Sequence, residues 1–241
     1  MKKCSILLVG ALAMLVASCG FKSEEKPLTG NLVTYTAEGT KKGEVLLGVK
    51  DKTGKKDKEI IPAAAYTSIT ADNNCITCAR PDAATDVYTL TGEPVGPKTY
   101  ATFEQQTNAD NIYYVGKAEE TTYYFFPGQP LVSSTLSYMT AKNLFVEKEN
   151  LWQIYTFDGK MSWVFPTDAL ILKSKRTEEA IVVIPKVKGK VTTGTVYTST
   201  GKELKKLNAV KYRKLVKKLK EPTKIGSMNL YEVESLEVDK L

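Results

Sequence analysis

The sequence predicts an all-β chain built from about five short antiparallel hairpin or meander units, and two patterns point there. The first is a hexamer that opens with Val, Ile or Tyr and ends in Gly. It occurs as Val49-Lys50-Asp51-Lys52-Thr53-Gly54, Val87-Tyr88-Thr89-Leu90-Thr91-Gly92, Tyr123-Tyr124-Phe125-Phe126-Pro127-Gly128, Ile154-Tyr155-Thr156-Phe157-Asp158-Gly159 and Val196-Tyr197-Thr198-Ser199-Thr200-Gly201. β-Branched and aromatic residues running into Thr-Gly, Pro-Gly or Asp-Gly describe a strand entering a tight turn, with Gly supplying a positive φ. The second pattern is an Asn followed by an apolar residue at the head of another β-rich run: Asn31-Leu32, Asn74-Cys75, Asn111-Ile112, Asn143-Leu144 and Asn229-Leu230, with Ala180-Ile181 in the equivalent place before the fifth hexamer. Units this small cannot bury their faces alone, so they must stack, either propeller-like or as an open superhelix. Five units with one further strand at each end fit a propeller whose termini meet. The alternative reading of the same periodicity is one irregular β-sandwich.

Taken in order, residues 1–18 have the make-up of a secretory signal peptide. Met1-Lys2-Lys3 is basic, Ile6 to Ala17 is apolar, and small residues Ala17-Ser18 precede Cys19. The apolar run is short of the ~20 residues of a spanning helix. Val16-Ala17-Ser18-Cys19 resembles the lipobox of bacterial lipoproteins, with Val16 where that family prefers Leu. The resemblance implies cleavage before Cys19, acylation there (palmitate among the chains) and attachment to a membrane of the bacterial envelope. Gly20 after the cysteine favours the outer membrane, and Lys22-Ser23-Glu24-Glu25 resembles a surface-export tag. Residues 19–30 then read as a lipidated tether and 31–241 as the β-repeat domain.

Within that domain a second strand is expected after each turn glycine, at Lys58 to Pro62, Glu93 to Lys98, Gln129 to Ser133, Lys160 to Pro166 and Lys202 to Leu207. Further apolar-polar stretches at Tyr66 to Thr70, Tyr100 to Glu104, Leu136 to Thr140 and Ala169 to Lys173 bring each unit to three or four strands. Leu47-Gly48-Val49 through Gly54-Lys55, with Glu59-Ile60-Ile61-Pro62 and Tyr66-Thr67-Ser68-Ile69, resembles the tryptophan-glycine (WG) repeat of bacterial envelope proteins. Trp152 and Gly48 fall at that repeat's Trp and Gly places in different units, and no unit has both. The resemblance implies a β-repeat scaffold without a shared catalytic residue.

Composition narrows the chemistry. The 241 residues hold 34 Lys and Arg against 27 Asp and Glu, a net +7, and no histidine. That excludes His-anchored zinc and every Ser-His or Cys-His nucleophile. Cys75-Ile76-Thr77-Cys78 has redox-pair spacing, but in a strand positions three apart face opposite ways, so two core fillers are the better reading. Glu119-Glu120 and Glu178-Glu179 are expected to be solvated turn residues. A carboxylate-dependent glycan hydrolase or lyase would need a cleft joining two of Asp86, Glu104, Glu119, Glu120, Asp158, Asp168 and Glu178. From Lys202 to Lys220 there are nine basic residues and one acid, and Tyr212, Leu215, Val216 and Leu219 fall at helical spacing, which predicts a short basic amphipathic helix. It would serve either to meet anionic headgroups or acidic glycan, or as a solvated repeat edge.

The 13 Tyr, 7 Phe and 2 Trp are expected to pack between units, with Trp152, Trp163, Tyr114 and Tyr124 as the rings to suit a partner if they face outward. The expectation is a non-enzymatic envelope lipoprotein that binds or scaffolds a protein or glycan. No cofactor, metal or nucleic acid is implied.

Overall fold

The computed structural model describes residues 21–108, 111–177 and 179–236. The expected signal peptide (1–18), Cys19 and Glu178 lie outside the described residues. The chain divides into two compact units, Met1–Pro81 and Asp82–Leu241.

Strands group into five sheets, each begun as a meander of four consecutive strands. Sheet A holds β1 (Glu25–Thr29), β2 (Leu32–Glu38), β3 (Val45–Asp51) and β4 (Lys58–Ala64). Sheet B holds β5 (Ser68–Ala71), β6 (Cys75–Ala79), β7 (Thr85–Thr89) and β8 (Pro94–Tyr100). Sheet C holds β9 (Thr102–Asn108), β10 (Asn111–Ala118), β11 (Thr121–Phe125) and β12 (Val132–Ser134). Sheet D holds β13 (Ser137–Met139), β14 (Asn143–Lys148), β15 (Leu151–Thr156) and β16 (Met161–Pro166). Sheet E holds β17 (Leu170–Ser174), β18 (Ala180–Lys188), β19 (Val191–Thr198) and β20 (Glu203–Leu207). A helix, α1 (Ala209–Lys218), follows, and then β21 (Thr223–Ile225) and β22 (Met228–Val233), which extend the sheet to six strands. The all-β repeat is therefore present, and every hexamer supplies the third strand of its sheet. Residues 25–29, expected to be tether, instead form β1, paired to β2 and tied to β3 through Glu25 with Lys50 and Lys52.

Three hexamers make one and the same turn. The N–H of Gly92, Gly159 and Gly201 donates to the carbonyl of Thr89, Thr156 and Thr198, three residues back. Each of those threonines donates its own N–H to the carbonyl just after the glycine, on Glu93, Lys160 and Lys202. Their hydroxyls close the loop on the residue before the glycine: Thr91, Asp158 and Thr200. This is a type I turn finished by a glycine bulge, which needs φ > 0 at the third loop position, and the glycines sit at 88°, 79° and 81°. The turn of the third hexamer differs: Gln129 N–H donates to Phe126 O across Pro127 and Gly128 (φ 76°), the type II arrangement that Pro-Gly favours. Gly54 breaks the expectation, since it is absent from the positive-φ glycines; here Asp51 makes the turn by accepting the N–H of Thr53 at 2.8 Å.

Packing in the second unit follows strand parity. On β14, Leu144 and Val146 join Tyr113, Tyr124 and Phe126 of sheet C, whereas Phe145, between them, joins Ile171 and Val182 of sheet E. Trp152 and Ile154 of β15 share the side of Phe145. Successive side chains of a strand point to opposite faces, so sheet D is apolar on both and is sandwiched between C and E. Sheet E repeats the logic: Ile171, Val182 and Leu230 face D, while Leu172, Ile181, Val183 and Val196 face away. That far face is covered by Tyr212 and Leu215 of α1 and by Leu219 just after it. The strands that a ring would pair, β2 and β22, each have both neighbours in their own sheet: β1 and β3, and β17 and β21.

The helix starts where the sequence asks. Asn208 accepts the N–H of Lys211 at 3.0 Å as its N-cap, and Lys217 and Lys218 lie in the last turn, where cations suit the helix dipole. Gly194 of β19 lets it approach, because a Cβ there would sit 2.7 Å from the Tyr212 ring.

Two glycines test the turn analysis. At Gly201 (φ 81°) an added Cβ would also meet Trp163 at 2.7 Å, while around Gly189 (φ 58°) nothing lies within 4 Å. Gly201→Ala should lower the unfolding free energy by about 2 kcal/mol or more, against less than about 0.5 for Gly189→Asn, measured by urea denaturation.

Candidate functional site

The rings singled out from sequence are interior. Trp152 is 1% exposed in the core between sheets D and E, and Tyr114 and Tyr124 are buried as well. Tyr114 stacks on Phe103 at 5.4 Å on one face of sheet C. Its neighbour Tyr113 goes to the other face, against Phe126 and Phe157. Trp163 is half-buried: it lies over Gly201 and against Tyr197 at 4.9 Å, bridging sheets D and E. The Tyr113–Tyr114 doublet does split across two faces, as alternation requires, and both rings are buried. An exposed ring set made of these four residues is therefore ruled out. Burial also pushes the phenols of Tyr100, Tyr113 and Tyr124 above their ordinary range, so they stay protonated; Tyr100 donates to Val95 O at 2.8 Å, and Tyr124 shares a 2.6 Å hydrogen bond with Ser137 Oγ. The indole N–H of Trp152 has no partner among the described residues.

The carboxylates are dispersed. Asp86 on β7 is 1% exposed, the sole buried acid among the described residues. It accepts the Thr99 hydroxyl at 2.6 Å and lies 3.6 Å from Lys98 Nζ. Lys98 also reaches over the Tyr88 ring, and its contact with that phenol, with Asp86 beyond, holds the ammonium above its ordinary pKa. Glu104 is exposed on β9 opposite Val115, which places it roughly 13 Å of strand from Glu119 at the far end of β10. Glu119 and Glu120 form the exposed β10–β11 turn, Glu119 in the left-handed region at φ 53°, as the turn reading expected. Glu179 is exposed and pairs with Lys142 at 2.6 Å. Asp168 is exposed between β16 and β17. Asp158 belongs to the repeated turn: the ammonium of Lys160 at 2.8 Å, then the Thr156 hydroxyl, hold its carboxyl down to about 2. It is an anion throughout the neutral range and has no proton to give. Acid-base work needs two carboxyls held ~5–10 Å apart in one cleft. These residues are instead spread over three sheets and their turns.

Cys75 and Cys78 are both buried in β6. Three positions along a strand put them on opposite faces, as core fillers. Among the described residues no group of three His, Cys, Asp or Glu side chains is placed to hold a metal ion, and no helix is long and apolar enough to cross a membrane.

What the structure does gather is charge and exposed aliphatic surface on sheet E. Lys211, Arg213, Lys214, Lys217, Lys218 and Lys220 are all exposed on or just after α1. Val187 and Val191 are exposed at the tip of the β18–β19 hairpin, among Lys186, Lys188 and Lys190. The helix half of this surface was readable from the sequence. The hairpin half was not, because Lys-Val alternation there reads as an ordinary two-sided strand.

No family model matches the chain, and no curated protein matches it.

Two measurements follow. Trp152→Ala should cost about 3–5 kcal/mol of stability, as for a large core ring, whereas Trp152→Phe forfeits packing volume but no hydrogen bond and costs less. For Asp158 the folded pKa is depressed below 3.8, so its contribution to stability is complete above about pH 4 and is lost as pH falls toward 2. Asp158→Asn should flatten that part of the acid limb in pH-dependent thermal melts.

Proposed function

We propose that this chain is a lipid-anchored protein of the bacterial cell envelope, held at the outer membrane through Cys19, whose stacked β-repeats serve as a binding or scaffolding module. The partner is another envelope protein or a glycan. One observation carries the reading: sheet D packs one face on sheet C and the other on sheet E, and the far face of E is covered by α1, so the aromatic and aliphatic supply goes into joining repeats, and turns and sheet edges are what remain to meet a partner. Such architecture separates the packed faces from loops that vary without cost to the core. The resemblance of the first unit to the WG repeat and of residues 16–19 to the lipobox supports the same reading.

Lipidation predicts that Cys19→Ser abolishes labelling by a lipid precursor and lets a high-salt wash release the protein from the membrane fraction. Persistent labelling would overturn the anchor. The scaffold reading predicts that a partner recovered from envelope extracts binds the purified Cys19→Ser chain directly; repeated failure across solubilisation conditions would count against it.

A further inference from the structure

The net charge of the chain has a single source. Residues 186–220 hold 12 Lys and Arg and one acid, Glu203, a net +11. The rest of the chain has 22 basic and 26 acidic residues, a net −4. Exposed aliphatic surface collects in the same segment. Of the nine large hydrophobic residues exposed among the described residues, five are Val187, Val191, Leu204, Val210 and Val216.

Sheet E brings the start of α1 and the β18–β19 tip to one end. β20 finishes at Leu207, opposite Gly194 of β19. Gly194 is three residues from Val191, about 10 Å at the rise of a strand, at the hairpin tip where Lys188 faces Val191. α1 therefore begins beside that tip. At about 100° per residue, Tyr212, Leu215 and Leu219 fall within an arc of about 60°, and this is the arc that packs on the sheet. Val210 points the opposite way, 61% exposed, with Arg213, Lys214 and Lys217 around it and Lys211 and Lys218 at the flanks. At the tip, Val187 is 68% exposed between Lys186 and Lys188.

We infer that α1 and the β18–β19 tip form a docking surface for an anionic lipid bilayer. Charge complementarity selects a polyanion, and the valines select a membrane among polyanions. A soluble acidic glycan gains nothing from bare aliphatic side chains. A headgroup layer takes them into its apolar boundary while the lysines keep their ammonium groups at the phosphates. The net negative charge of the remaining chain disfavours other approaches and so fixes the orientation. This surface is independent of acylation, and its failure would leave the lipid anchor untouched.

The test is co-sedimentation of the full-length Cys19→Ser chain with phosphatidylcholine vesicles, with and without phosphatidylglycerol, over a series of salt concentrations. The expected result is binding only when phosphatidylglycerol is present, weakening as salt rises. Combining Lys211→Gln, Lys214→Gln and Lys217→Gln should lower partitioning on the order of a hundredfold, from the contribution of each cation near such a surface. Val187→Ser with Val210→Ser should lower it severalfold. All five positions are exposed, and an unchanged thermal midpoint shows that the variants fold. Equal binding to both vesicles, or indifference to the lysine changes, would overturn the inference. So would indifference to the valine changes together with full competition by a heparin fragment, which would reassign the surface to a soluble polyanion.

Discussion

The second unit depends on sheets that are apolar on both faces. An antiparallel meander in water ordinarily covers one face and wets the other, and its strands alternate accordingly. β14 does not: Leu144, Phe145 and Val146 are consecutive and all fully buried, so the sheet that contains them needs a neighbour on each side. Stacking is then a requirement of the sequence. The same rule makes the ends of a stack costly, because a final sheet would expose one apolar face. In sheet E the far face is taken by α1, so the helix completes the core as well as presenting charge.

The repeated turn shows how much of this was legible and why. Thr-x-x-Gly carries its own mechanism, since the threonine supplies a hydroxyl and the glycine the left-handed backbone, and three such turns share one set of hydrogen bonds. The Asn-led strands were equally legible: β2, β6, β10 and β14 begin at or just after Asn31, Asn74, Asn111 and Asn143. β1 was not, because Glu25-Lys26-Pro27 is polar and holds to the sheet by ion pairs and backbone bonds that leave no apolar period to read. Nor was the destination of the aromatic doublets. Alternation says that Tyr113 and Tyr114 part company; it cannot say whether water or another sheet receives the second ring. The burial of Asp86 is the same kind of case, since its partners Thr99 and Lys98 are set by the register of β7 on β8 and by no local motif.

The site is less legible than the fold for a related reason. A motif records reactive groups at fixed spacing; which surface is left once the faces are paired depends on the stack as a whole. The charge of the last sheet was visible as a run of lysines, but its significance comes from the helix placing a valine at the centre of them.

The parallel pairing of β22 with β17 has a consequence for how the protein comes into being. Nearly every other strand bonds to the strand immediately before or after it in the chain, so sheets A to D can zip as soon as their own residues are free. Leu170 to Ser174 must instead wait for Asn229 to Val233, about sixty residues later. Sheet E is therefore completed later than sheets A to D, and a long-range pairing of this kind is slow to close. A chain emerging from its N-terminus would form the meanders in sequence order, with sheet E latched by β22. Loss of β22 would accordingly unlock sheet E and leave the earlier ones formed.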